Sequence, residues 1–188
     1  MRTSLYVLDQ MATGTSQERH LETVNKQVRY IENLVQDLLT MSRLDSGDAF
    51  SSVPVDLNDL IESVHERLEE QFQDKGLTVH LEPGDGLPAI MGDPKYLHMA
   101  LENLVDNAIR YTPVGGRITV RCGRLAGVPF AEVEDSGTGI DPDERRRVFE
   151  RFYRSPKAVA EGSGLGLSIV REIAQSHDAQ VQVLDAEG

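Results

Sequence analysis

From Gln17 to Asp45 the chain carries no glycine and no proline. Apolar residues recur there at Leu21, Val24, Val28, Ile31, Val35 and Leu38, in steps of three, four, three, four and three. A run of this length with that repeat is a helix with a heptad seam, and such a seam needs another helix to cover it. Leu34, Leu39, Met41 and Leu44 widen the stripe toward its C-terminal end, as a bundle helix requires. Ser16 stands where a cap belongs and Gly47 where the helix should stop. Upstream, Ser4 to Ala12 places Leu5, Leu8 and Met11 in helical register, and Thr13-Gly14-Thr15 reads as the turn of an αα-hairpin. One hairpin with a short first arm cannot cover so wide a stripe. The expectation is a homodimer through these helices, the alternative being that the long helix packs on its own downstream residues.

Composition narrows the class. The chain has 188 residues, 39% apolar and 27% charged, as a soluble globular protein does. With no Trp and 5% aromatics, its core must be mainly aliphatic. A formal charge of −12 argues against nucleic acid, whose phosphates would be repelled. It does not argue against ATP, which needs only a few local donors. Cys122 is the only cysteine, so no intrachain disulfide forms, in keeping with a reducing compartment. No stretch has the length and apolarity of a membrane span, and the N-terminus lacks a signal-peptide pattern. A cytoplasmic location follows as the expectation, with any inner-membrane anchor lying upstream of residue 1.

From about Ser51 the pattern changes to mixed α and β, which divides the chain into 1–50 and 51–188. Val53 to Leu57 reads as a strand, Asn58 to Gln73 as a helix and Leu77 to Leu81 as a strand followed by a Pro/Gly-rich loop. Asp93-Pro94 opens a further helix, acid as cap and proline in the first turn, running to about Tyr111. Ile118 to Arg121 and Val128 to Glu134 read as strands, and Asp141-Pro142 as the start of a short charged helix. Gly164 to Ser176 reads as a helix and Val181 to Leu184 as a last strand. The expected class is α+β: a helical hairpin followed by an α/β sandwich, a mixed sheet with helices on one face.

Four constellations carry chemistry. In ENLVDNAIRYTP, Asn103 and Asn107 lie four apart and so share a helix face, as do Asp106 and Arg110. Uncharged carboxamide oxygens suit a magnesium ion that keeps most of its waters and is shared with phosphates, and Arg110 lies one turn further on. Two solvated asparagines are the plainer reading. In EDSGTGI, Asp135 ends a strand and can accept a hydrogen bond from an exocyclic amine such as that of adenine. Gly137 and Gly139 let a base lie against the backbone without a Cβ in the way, although a polar turn has the same residues. In EGSGLGLSIV, Gly162, Gly164 and Gly166 alternate at a helix start, where backbone N–H groups and the helix dipole favour phosphate; a flexible loop is the alternative. Between these lies VFERFYRSPKAVA, with Phe149, Phe152 and Tyr153 ahead of an aperiodic stretch. It reads as an anchored loop closing over a ligand, or as a hydrophobic patch sealing the core.

In this order and spacing, the asparagine helix, D-x-G-x-G, F-x-R-F-Y-R and G-x-G-x-G-L resemble the N, G1, F and G2 boxes of sensor histidine kinases. The ATP-binding domain of that family has the Bergerat fold of DNA gyrase B, Hsp90 and MutL. IENLVQDLLTMSRLDSG resembles the end of the dimerisation helix that precedes it. The resemblance implies Asn107 as the magnesium ligand with Asn103 as its companion, and Arg110 and Tyr111 on phosphate or ribose. It implies Asp135 on adenine, Gly137, Gly139 and Ile140 around the base, and Phe149, Phe152 and Arg154 in an anchored lid. It implies Gly162, Gly164, Leu165, Gly166 and Leu167 in the hinge and phosphate-side loop. ATP and Mg2+ are the implied cofactors, and a second copy of the chain and a response-regulator receiver domain the implied partners. Such a kinase passes the γ-phosphoryl group to a histidine and then to an aspartate of the regulator. Alternatives are a serine kinase of the same ATPase fold, or a dimerisation fragment whose ATP site is inactive.

The match departs at both ends. The family's phosphoacceptor motif resembles H-E-L-R-T-P-L, and MRTSL matches its tail through Arg2, Thr3 and Leu5, with Ser4 in place of proline. The histidine and its acidic neighbour fall upstream of Met1, so this chain is expected not to phosphorylate itself. Thr3 matches the threonine used in dephosphorylating the regulator. His20 lacks the E-x-R-T context, and the last strand of the family lies beyond Gly188.

Overall fold

The computed structural model describes residues 15–46, 50–156 and 162–184. The hairpin's first arm, its turn residues Thr13 and Gly14, Thr3 and Gly47 lie outside them. The chain divides into two compact units, Met1–Thr40 and Met41–Gly188. Most of the first is the long helix α1, Thr15–Ser46, which crosses the division. Along it Val24, Ile31, Val35 and Leu38 of the apolar stripe are exposed, Ile31 by 56%, while Leu21 and Val28 are half-buried.

In the second unit, β1 (Val53–Val55) is followed by α2 (Leu57–Asp74). The strand stops earlier than the sequence suggests because Asp56 caps the helix, its carboxylate accepting the Asn58 N–H at 2.7 Å. That makes Leu57 helical and buries it. Helix α2 also buries Leu60, Ile61, Val64, Leu68 and Phe72, one continuous face. Strand β2 (Thr78–Glu82) follows, then β3 (Ile90–Gly92), which pairs antiparallel with β1. A three-residue strand has too little alternation to be seen in sequence, and β3 was not foreseen.

Helix α3 (Pro94–Tyr111) leads to β4 (Arg117–Leu125) and β5 (Val128–Asp135). The main sheet has the order β2-β4-β5, with β2 parallel to β4 and β4 antiparallel to β5. Alternation along β4 turns Ile118, Val120 and Cys122 inward to meet α2 and α3. On the opposite face Arg121 bridges Glu132 (2.6 Å) and Glu134 (3.0 Å) of β5. The sheet is therefore mixed and its helices lie on one side, as expected. A second cluster joins Met41 to Tyr96 of α3 and to Leu165, Ile169 and Ile173 of α4 (Gly166–Ser176).

Two expectations fail. Residues 141–146 form turns rather than a helix, followed by a 3-10 turn at Arg147–Phe149. Asp141-Pro142 is a sound helix start, but Asp143 to Arg147 offers no apolar residue to hold a helix down. Val181 to Leu184 alternates half-buried and exposed yet joins no ladder among the described residues. Alternation supplies a face, and a strand also needs backbone partners.

Candidate functional site

Helix α3 is fixed at both ends. Asp93 caps its start, Oδ1 accepting the N–H groups of Lys95 (3.0 Å) and Tyr96 (3.4 Å). At the other end Thr112 returns both its N–H and its hydroxyl to the Ala108 carbonyl. Lys75 donates to the carbonyls of Ile109 and Arg110, so a cation sits where the helix dipole is negative. Between these ends Asn103 gives its Nδ2 to the Met99 carbonyl at 2.9 Å. Asn107, one turn on, is half-buried.

The glycines show what the four sequence stretches do together. A methyl group at Gly166 would lie 2.9 Å from Asn103 Oδ1, and one at Gly162 would lie 2.2 Å from an Arg110 guanidinium nitrogen. A methyl at Gly137 would meet Asp135 Oδ1 at 2.5 Å and the Tyr111 carbonyl at 2.7 Å. Real Cβ atoms do not approach so closely: at Gly137 the obstacle includes backbone, so that position requires glycine, whereas at Gly166 and Gly162 a methyl would have to displace the end of a side chain. The asparagine helix thus meets the Gly162–Gly166 loop at Asn103 and Arg110 and the turn after β5 at its last residue, Tyr111.

Asp135 is half-buried, and its Oδ1 accepts the Gly137 N–H at 2.8 Å. Burial pushes its carboxyl above the usual range, Glu134 adds to the shift, and the Gly137 N–H opposes it. Asp106, on the asparagine helix, is raised by burial and by Glu102, with Arg110 and Arg67 opposing. Gly139 has φ +68 and open space where a side chain would be, with Ile140 half-buried beside it.

The aromatic stretch divides. Phe149 is buried at 7% exposure and anchors the segment, whereas Phe152 is 59% exposed and does not. Phe152 also has φ +63, a left-handed conformation that strains any residue with a Cβ. Its N–H donates to the Gly164 carbonyl at 2.9 Å, and a methyl at Gly164 would meet the Phe152 backbone at 2.9 Å. The two stretches are therefore zipped through backbone. Tyr153 donates to Glu144 at 3.0 Å with Arg147 over its ring, and Arg154 is exposed. Leu165 is fully buried under the loop and Leu167 half-buried. Lys75 and Thr112 were missed by sequence reading: a lysine that closes a helix from 34 residues away leaves no local signal.

A sandwich whose asparagine helix meets two glycine turns, with a half-buried carboxylate at the strand end, defines a nucleotide-binding domain. Residues 92–188 match the family described as histidine kinase-, DNA gyrase B-, and HSP90-like ATPase. The chain belongs to that family. Its relatives include the sensor protein kinase PmrB of Pseudomonas aeruginosa, 37% identical over 94% of this chain and 37% of the relative. The histidine-protein kinase/phosphatase MprB of Mycobacterium avium is 40% identical over 85% of this chain and 30% of the relative. Among solved structures, full-length ShkA in complex with AMPPNP superposes with a TM-score of 0.78 at 28% identity, covering 98% of this chain and 39% of that one. The mycobacterial sensor histidine kinase MprB gives 0.62 at 34% identity, covering 70% and 83%. This chain spans between about a quarter and two fifths of the curated relatives' length.

Proposed function

We propose that the chain is the catalytic part of a two-component sensor histidine kinase, binding Mg-ATP through α3, the turn after β5 and the Gly162–Gly166 loop. The observation that carries this reading is the pairing of each glycine turn with the asparagine helix: Gly166 with Asn103, Gly162 with Arg110 and Gly137 with Tyr111. Asp135 takes the adenine amine, since a carboxylate only accepts and would repel the oxygen that guanine presents there. Asn107, with Asn103, supplies neutral oxygens to the magnesium ion, which neutralises phosphate charge when bound. Arg110 takes a phosphate oxygen, and the backbone N–H groups of the glycine loop take others.

In the intact protein the γ-phosphoryl group goes to a histidine of the hairpin and on to an aspartate of a response regulator. Thr3 serves the return reaction on the regulator, the heptad stripe pairs two copies, and this region lies in the cytoplasm. Titration with ATP, with and without magnesium and with GTP as competitor, tests the site. Magnesium-enhanced binding that GTP cannot displace is the expected result. Absence of binding would leave a dimerisation fragment, and transfer of label to a protein serine would favour the serine-kinase reading.

A further inference from the structure

We infer that His177 is a positioning residue that sets the register of α4 along α3, and with it the distance between the phosphate-side glycine loop and the asparagine helix. The inference rests on the ATP site described above. His177 ends α4. Its Nδ1 lies 2.7 Å from the Ile173 carbonyl oxygen, and its Nε2 lies 3.0 Å from the Asp93 backbone nitrogen. A carbonyl only accepts and an amide N–H only donates. The ring is therefore neutral, protonated on Nδ1 and bare on Nε2. Gly92 makes the approach possible, because a methyl there would stand 2.7 Å from the ring's Cδ2. Phe50 covers the imidazole edge to face, 4.5 Å between centroids, so the ring is held from several sides.

Asp93 is the cap of α3, so this bond ties the last turn of α4 to the first turn of α3. At the opposite end of α4, Gly166 is pressed against Asn103. The helices thus run antiparallel with two points of register, one at His177 and one in the site. The apolar contacts of Leu165, Ile169 and Ile173 hold α4 against its neighbours, and the His177 bond adds a directional contact at its far end. Without the His177 bond, the C-terminal end of α4 loses its directional tie to α3, and a shift of α4 there is carried to the glycine loop at its start. Asp135, on β5, is not attached to α4 and stays where it is.

The test compares the wild-type chain with His177→Phe, which keeps a ring but no acceptor, and His177→Gln, whose oxygen can take the Asp93 N–H. Each is titrated with Mg-ATP and with adenosine. The expected result is a loss for His177→Phe of about three- to tenfold toward Mg-ATP, one hydrogen bond's worth, with adenosine binding unchanged. His177→Gln should recover most of it. Equal losses for both ligands, or no loss, would overturn the inference, while a wild-type chain that bound neither ligand would overturn the ATP reading beneath it. Nitrogen-15 NMR of the wild-type imidazole is an independent arm that needs no variant: a proton on Nδ1 supports the assignment, and a proton on Nε2 refutes it.

Discussion

Asp135 shows how much one residue is asked to do. Asp135→Asn keeps the shape but replaces an acceptor-only group by one that also donates, and should weaken ATP binding by about ten- to a hundredfold, the range of a hydrogen bond to a charged group. Unchanged affinity in the titration would remove Asp135 from the pocket. Its raised carboxyl has two consequences of opposite sign. The folded state holds the proton more tightly than the unfolded chain. The associated stability is therefore fully present below the ordinary aspartate value and is lost as pH rises through the raised one. Adenine recognition needs the ionised form, so binding should strengthen over that same rise. Adenosine, which has no phosphate to titrate, is the ligand to use, and a flat profile from acid to neutral pH would contradict the assignment. The two loop glycines Gly162 and Gly164 separate in the same way. Gly162→Ala meets only the tip of the Arg110 side chain, which can move, so its stability should be near wild type while Mg-ATP binding falls. Gly164→Ala combines φ +72 with a clash against the Phe152 backbone and should lose about 1–3 kcal/mol in a denaturant titration.

At the scale of the element, α3 is the part most legible from sequence. Asp93-Pro94 announces its start, which the structure keeps, and the spacing of Asn103, Asn107 and Arg110 is the face on which the proposed site is read. Removing the cap with Asp93→Ala should cost about 1–2 kcal/mol of stability. That variant also frees the Ser51 N–H, which Asp93 Oδ2 holds at 3.0 Å, so faster amide exchange at Ser51 is a second readout. What could not be read were contacts made at long range or by very short elements. Lys75 closes α3 from the end of α2, and His177 reaches Asp93 across 84 residues. Phe152 resembled Phe149 in sequence, but the strained backbone that zips it to Gly164 turns its side chain outward. The turn at residues 141–146 had the cap of a helix without an apolar face to keep one.

At the scale of the whole molecule, the heptad stripe and the ATP site are separable properties of one chain. Met41–Gly188 has its own core, with Ile61, Ile118 and Leu165 fully buried and none of them on α1. Val24, Ile31, Val35 and Leu38 of the stripe on α1 are exposed, and burying each of these side chains against a second copy would gain about 1.5–3 kcal/mol. Ile31→Glu together with Val35→Glu places two charges in that seam and should give a monomer by sedimentation equilibrium where the wild-type chain is expected to be a dimer. Neither residue belongs to the ATP-binding unit, so the monomer should bind Mg-ATP with wild-type affinity. A variant that stayed dimeric would move the interface off this stripe. One that became monomeric and also lost nucleotide would mean that the second copy completes the site, although α3 and its two glycine turns already assemble within one chain.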